Sequence, residues 1–514
     1  MPATVAVSLG SLSGIVLNSD GEMIADLERF EGMLVTFEQT LAVTELFNLD
    51  RFGEVRLAQG GRLFQFTNTS QPDVAGFEAH LEDVARRTLV LDDGLTVQNP
   101  DPIRYPAPGL STANTVRMGD TVTGLTGTLR FSRGSGASGD ETYRLMPVIE
   151  PLFVPVNSRP TVAPPASGRL RVAGFNVQNF FNDLRDGSGN CYPSGTSADC
   201  RGASNPVEFS RQLQKLTMAL SVLDADVIGL VEIENDYPEG DASAISELVE
   251  ALNAAANGCT GSYDYAVPPA AGRVGDDAIA VGLIYCTDTV ALASGSNPAV
   301  LDDSMLADLG LSAPVFNGEA SNRSPLAATF TETSSGESFT VVVNHFKSRG
   351  ASTLDDSGST CGVDIDPEAE LNCDQFDGQG FWNLRRTEAA VALGAWLSTG
   401  PTGVNEADVL IIGDLNAYPQ EDPIRTLNSL GYTDLLQTQT YGGQPHSFVF
   451  DGQAGVLDYL LASISMVAQI SAVEEWHINA DEPDGLDYNT DFDRNPAIFD
   501  ATVPFLSLIH ISEP

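Results

Sequence analysis

Five apolar runs in this sequence end on, or enclose, polar or ionisable side chains. Asn176 closes the run in GFNVQNFF, and Glu232 sits inside IGLVEIEND. Asn344 and His345 close VVVNHFKSRG, Asp414 and Asn416 lie in IIGDLNAYP, and Asp458 sits in GVLDYLLAS. One such residue by itself is a turn former or a helix cap. Five in one region, each tied to a stretch that reads as a buried strand, favour a site at strand ends. The chemistry they suit is phosphodiester hydrolysis. Carboxylate and amide oxygens favour a hard cation such as Mg²⁺, and few protein ligands leave room for water and phosphate. Glu232 is the best anchor for that cation. Asp414, held by neighbouring donors, can orient or deprotonate an attacking water. Asn416 can fix that water or donate to phosphate, and His345 can stabilise charge building on phosphate oxygens. Arg323, in SNRSPLA, offers a bidentate guanidinium for phosphate; in so acidic a chain a surface ion pair is the competing role.

These residues need a rigid frame. RLRVAGFNV, ADVIGLVEI, FTVVVNHF and ADVLIIGDL read as buried strands, while FSRQLQKLTMALSVL and NLRRTEAAVALGAWL carry apolar residues at helical spacing. Strands alternating with helices predict a layered α/β domain. Residues 1–155 differ: EGMLVTF, GRLFQFTN and GDTVTGLTGTLRFS are short β segments punctuated by Gly and Asp, the pattern of a small barrel or sandwich. Val156 to Gly168, VNSRPTVAPPASG, is rich in Pro and without periodicity, and reads as a linker. A chain of 514 residues is too long for one ordinary core, so more than one domain is expected.

The formal charge is −44, and Lys215 and Lys347 are the sole lysines. Such a surface repels nucleic acid at long range. Any polyanion site must then be local, made by a metal and a few arginines. The acid is spread along the chain rather than gathered in a tail, which reads as adaptation to salty surroundings. No apolar run approaches the roughly 18 residues of a membrane span. The cysteines at 191, 200, 259, 286, 361 and 373 form no CxxC pair, which argues against a zinc site. Their even number and sequential spacing fit disulfides between nearest neighbours in an oxidising compartment; unpaired thiols in a cytosolic protein are the alternative.

The segments GFNVQNFF, IGLVEIEND, DDAIAVGLIY, NRSPLA, VVVNHFKSRG, DGQGFWNLRRTEAA, IIGDLNAYPQEDPI, VLDYLLAS and HINADEPDGLDYN occur in this order. In that order they resemble the bacterial extracellular nucleases of the endonuclease/exonuclease/phosphatase superfamily, the deoxyribonuclease-I-like fold. The resemblance spans residues 169–505. It implies a four-layer α/β sandwich there, preceded by a small all-β, OB-fold-like domain over residues 1–155. It implies Mg²⁺ or Mn²⁺, with structural Ca²⁺ in some members, and DNA as substrate, with RNA as the alternative polymer. Asn176 and Glu232 match the metal-site residues, and His345 matches the first catalytic histidine. Asp414 and Asn416 match the pair that handles water and phosphate, and Asp458 the aspartate that orients a second, C-terminal histidine. Arg323 and Asn344 are then substrate-binding residues, and Asp277, in GDDAIAVG, a support for His345. No protein partner is implied. A phosphatase or lipid phosphodiesterase of the same fold, or a non-catalytic extracellular DNA-binding protein, are the competing functions; the inserts DGQGFWNLRR and HINADEPDGLDYN favour the nuclease.

One departure is large. The resembled family ends on a Ser-Asp-His-Asp-Pro-type motif that supplies the second histidine and a metal-binding aspartate. Here the sequence runs DATVPF and then LSLIHISEP, with His510 in an unrelated context. Residues 506–514 are read as a non-native tail similar to translated vector sequence, and the chain as a C-terminally truncated member of poor activity. Met1 to Gly10 lacks the basic stretch and apolar core of a signal peptide. An extracellular location, which the resemblance and the cysteines imply, therefore requires a leader outside this sequence.

Overall fold

The computed structural model describes residues 4–503 except 11–13, 135–140, 161–162, 164–167, 256–257, 270–271, 319, 352–353, 355–360, 362–370, 439–443 and 491–493. The expected tail at 506–514 and much of the expected linker lie outside the described residues.

The N-terminal part is built on a closed five-stranded barrel. Its members are β1 (Leu34–Glu45), β2 (Glu54–Gln59), β3 (Thr88–Asp92), β4 (Thr121–Ser132) and β5 (Thr142–Pro147). They pair β1–β2–β3–β5–β4, and β4 pairs back onto β1. Only β3–β5 is parallel. Closure removes free edges within the ring, and alternate side chains such as Val35, Phe37, Leu57 and Leu145 fill the interior. The β reading of residues 1–155 omits two one-turn helices, Leu49–Phe52 and Phe66–Thr69, and the longer α1 (Val74–Arg87), whose first turn is capped by the Asp73 carboxylate accepting from Gly76 N. Only Val84 and Ala85 of α1 are buried, so its apolar stripe is too thin to show in the sequence.

Residues from 172 onward form a four-layer α/β sandwich. One sheet holds β6 (Val172–Phe180), β7 (Val227–Glu234), β8 (Tyr263–Tyr265) and β9 (Ile279–Cys286), in the order β6-β7-β9-β8. The other holds β10 (Val290–Leu292), β11 (Leu326–Glu332), β12 (Ser338–His345), β13 (Val409–Asp414), β14 (Tyr432–Asp434) and β15 (Asp458–Ser463), in the order β10-β11-β12-β13-β15-β14. The sheets meet face to face, β7 against β12 and β13. Helices α2 (Pro206–Leu223) and α3 (Ala244–Ala255) cover the first sheet, and α4 (Asn383–Leu397) and α5 (Asp422–Ser429) the second. Central strands are thus buried on both faces, which is why β7, β9 and β13 are near-continuous apolar runs. Helix α2 starts where it does because Asn205 accepts from Val207 N and Glu208 N, with Pro206 at the first helical position.

The two domains are fastened together. The short strand Leu63–Phe64 pairs in parallel with Gln453–Gly455, so the barrel domain adds a strand to a hairpin of the sandwich domain. Arg62 bonds Asp481 at 2.7 Å, and Arg117 bonds Glu482 at 2.8 Å with both side chains almost fully buried. The first residues of the expected linker are part of this seam rather than free: Asn157 donates to Asp481 and Arg159 clasps Glu482. The HINADEPDGLDYN segment is therefore, in part, a domain clamp.

Candidate active site

Register brings three of the expected residues into a row. In the second sheet His345 is paired with Asp414, and Asp414 with Asp458. Paired residues on neighbouring strands share a sheet face. The row points towards the first sheet, because Val343 and Ile412, two residues earlier on the same face, approach Gly229 of β7. A Cβ on Gly229 would lie 2.5 Å from Ile412 Cδ1 and 2.7 Å from Val343 Cγ2, so glycine is what lets the sheets close here. Gly413 does the same between strands: it has φ +113°, and a Cβ would lie 2.2 Å from Asn344 O.

On the facing sheet, β6 and β7 both break register. Asn176 pairs with Val231, and Glu232 is then left out of the ladder at φ +66°. Gln178 and Asn179 also have positive φ. Such paired bulges re-aim side chains at sheet ends. Here they bring the Asn176 amide to Glu232 Oε1 at 3.0 Å and Asn179 N to Glu232 Oε2 at 3.1 Å. Gln178 N fixes Asn176 Oδ1 at 2.8 Å.

Glu232 and Asp414 are both buried and close enough to repel. Burial foremost, then the charge of Glu232, pushes Asp414 up to about 7, against the pull of Asn416 N, Arg323 and Arg386. Asn416 N donates to Asp414 Oδ1 at 2.8 Å, and the Asn416 amide is committed to Phe346 O at 3.0 Å, with Asn416 itself at φ +47°. Asp458 is half-buried, its N–H held by Ser447 Oγ at 3.0 Å.

Arg323 and Asp277 sit differently from the sequence expectation. Arg323 is 4% exposed, not a surface cation. Its Nε donates to Asp277 at 2.9 Å, and Arg201 bonds the same carboxylate at 2.8 Å. Burial acts to raise Asp277, but the two arginines outweigh it and hold it below its ordinary value. Arg323 N in turn donates to His345 O at 3.0 Å, so Asp277 braces Arg323 and reaches the histidine's strand through it. Asn344 donates its amide to Val342 O at 3.2 Å and Ile412 O at 3.4 Å. Strand alternation turns it away from the row, which makes it a tie between β12 and β13 rather than a phosphate contact.

Several supporting residues were not singled out from the sequence. Arg386, fully buried on α4, donates to Lys347 O, Phe381 O and Gln379 O and so holds the loop after His345. Burial, then the neighbouring Arg349, lowers it to about 9. A charged residue on the apolar stripe of NLRRTEAAVALGAWL was the available signal. Glu421 is fully buried and paired with Arg349. Nothing local in the sequence marks it.

A cavity of 430 Å³ runs along β6 from Arg169 to Asn176 and past Asp458 to His446 and His477. Ligand atoms of His446, His477 and Asp481 lie within 4.8 Å of one another. The Arg62 guanidinium already occupies that space, 3.0 Å from His446 Nε2 and 2.7 Å from Asp481 Oδ1, and the two imidazoles stack at 4.2 Å. This cluster is part of the domain seam. A second grouping, Asp183, Cys191 and Glu234, includes a disulfide sulfur and offers no thiolate. The donors that fit a hard divalent cation are the buried Glu232 carboxylate and the Asn176 amide bonded to it.

The disulfides are Cys191–Cys200, Cys259–Cys286 and Cys361–Cys373. Among the described residues, no helix is long and apolar enough to cross a membrane.

No protein-family model matches the chain, and no curated protein matches it. Solved structures similar to it include an endonuclease/exonuclease/phosphatase family protein from Bacteroides thetaiotaomicron, at 16% identity over 58% of this chain and 83% of that one, with a TM-score of 0.35. A mannosyl-6-phosphatase of Bacteroides thetaiotaomicron is 15% identical over 58% of this chain and 86% of its own, with a TM-score of 0.34. The human Nocturnin catalytic domain with bound sulfate is 16% identical over 58% and 84%, also at 0.34.

Proposed function

We propose that the chain is a divalent-metal-dependent phosphodiesterase that hydrolyses extracellular DNA. The observation that carries this reading is the register row of His345, Asp414 and Asp458, which faces the sheet whose paired bulges hold Asn176 against Glu232. Glu232 and Asn176 would hold Mg²⁺ or Mn²⁺, which when bound supplies charge stabilisation at the scissile phosphate. Asp414, fixed by Asn416 N, orients and deprotonates the attacking water. His345 donates to the phosphate oxygens as charge develops. Arg323, aligned by Asp277, supplies fixed positive potential in a site surrounded by acid. The three disulfides support an oxidising, extracellular setting. The barrel's strand order, with one parallel pair, supports the OB-fold-like reading of the first domain.

The test compares hydrolysis of plasmid DNA, RNA, p-nitrophenyl phosphate and sphingomyelin with Mg²⁺ and with EDTA. Slow nicking of plasmid DNA that EDTA abolishes is the expected result, in keeping with the poor activity expected of this sequence. Hydrolysis of the monoester or of sphingomyelin alone would replace the nuclease reading by a phosphatase or lipid phosphodiesterase. DNA binding without hydrolysis of any substrate would leave a non-catalytic DNA-binding protein.

A further inference from the structure

Between β2 and α1 the barrel domain sends out an excursion whose tip, Gln65 to Asn68, touches two segments of the active site at once. Asn68, 4% exposed, accepts from Val456 N at 3.0 Å. Val456 lies two residues before Asp458, whose own N–H and that of Leu457 both end on Ser447 Oγ. Gln65 N donates to Ala454 O at 2.9 Å on the same segment. On the other side Thr67, fully buried, donates to Glu421 Oε1 at 2.6 Å, and Gln420 N donates to Thr67 O at 2.9 Å. That segment follows Asn416 directly. Glu421 is also the partner of Arg349, which lies in the loop leading from His345. Thr67 and Asn68 therefore grip the chain on both flanks of the Asp414–Asp458 pair, from a different domain.

We propose that Thr67 and Asn68 are positioning residues of the active site, through which the barrel domain sets the place of Asp458, of the loop that follows His345 and of the segment that carries Asn416. The proposal rests on the phosphodiesterase reading for its functional meaning and on the hydrogen bonds for its structure. Two surface-attached domains would need only a seam such as Arg62–Asp481 and Arg117–Glu482. The Thr67 and Asn68 contacts go beyond those ion pairs: they continue from the Leu63–Phe64 pairing and end on main chain and on a buried carboxylate inside the sandwich domain. Displacements of about an ångström at reacting groups cost up to about 100-fold in rate, so hydrogen bonds at this distance from Asp458 can act on turnover without touching substrate.

The experiment uses the full chain with Thr67→Val and Asn68→Ala, and with Thr67→Ser and Asn68→Asp, which keep the hydroxyl donor and the side-chain acceptor. Amide hydrogen exchange is read together with DNA turnover. In Thr67→Val and Asn68→Ala, exchange at Gln420–Glu421 and at Val456–Tyr459 should rise about tenfold, while β12 stays protected. For the same variants kcat should fall about 10- to 100-fold with KM changed less than about twofold, and the Ser and Asp variants should behave like the parent. Unchanged local exchange would overturn the proposal. So would loss of protection throughout β12, which signals general destabilisation, or a rise in KM alone, which signals a substrate contact. A parent that turns over no DNA counts against the nuclease reading, while the exchange data still decide the positioning role.

Discussion

The Asn176 side chain donates to Glu232 Oε1 at 3.0 Å across two parallel strands that both bulge at that point. The bulges leave Glu232 outside its ladder at φ +66°, a conformation that non-glycine residues keep only where the surroundings enforce it. The pair is thus held in place before any cation arrives. Glu232→Gln keeps the shape and removes one negative charge, and should weaken Mn²⁺ binding at least about tenfold, or about 1.4 kcal/mol. Calorimetric titration of parent and variant reads this, and equal affinities would move the cation away from Glu232.

Asp414 ties metal-free stability to pH. Its folded pKa is raised to about 7, chiefly by burial, so the folded state holds the proton more tightly than the unfolded chain. That contribution is fully present below the ordinary carboxylate range and is lost as pH rises through about 7. Asp414→Asn should therefore gain on the parent, by on the order of 3 kcal/mol, between pH 4 and pH 8 in EDTA. Urea unfolding at the two pH values decides it; parallel pH dependence in both proteins would contradict the burial argument.

Asp277 lies between a buried and a partly exposed arginine, and the two should not be equivalent. Asp277→Ala takes a carboxylate away from Arg323, which is 4% exposed. The loss should be about 1–3 kcal/mol, less than for a fully buried pair because Asp277 is half-buried. Arg201→Ala, with a third of its side chain in solvent, should cost less than about 1 kcal/mol. Denaturant midpoints of the two variants give the ranking, and the reverse order would show that Arg201 is the main partner.

The disulfides close loops of unequal length, with sequence separations of 9, 27 and 12. Loop-closure entropy predicts that Cys259–Cys286 contributes most, about 3.5 kcal/mol. Non-reducing peptide mapping should recover the three pairs. Replacing Cys259 and Cys286 together by Ala should lower the midpoint more than replacing either other pair.

The amino-acid sequence determined the layered part of this molecule. Runs such as VLIIGD and VIGLVEIE are apolar on both sides because helices and a second sheet cover both faces, and NLRRTEAAVALGAWL carries its own helical period. The polar residues at the ends of those runs were legible for the same reason: a charge beside a buried strand needs an explanation that a surface charge does not. The tertiary structure decided what the residues touch. Register aligned His345, Asp414 and Asp458, and paired bulges set Asn176 against Glu232. Asn344 turned out to tie two strands, and Arg323 to lie buried on Asp277. Thr67 and Asn68, at the end of GRLFQFTN, which reads as a short β segment, reach partners more than 350 and 380 positions away. Such contacts have no local signature, because a hydrogen bond between distant segments depends on where the folded chain returns and not on the residues beside it.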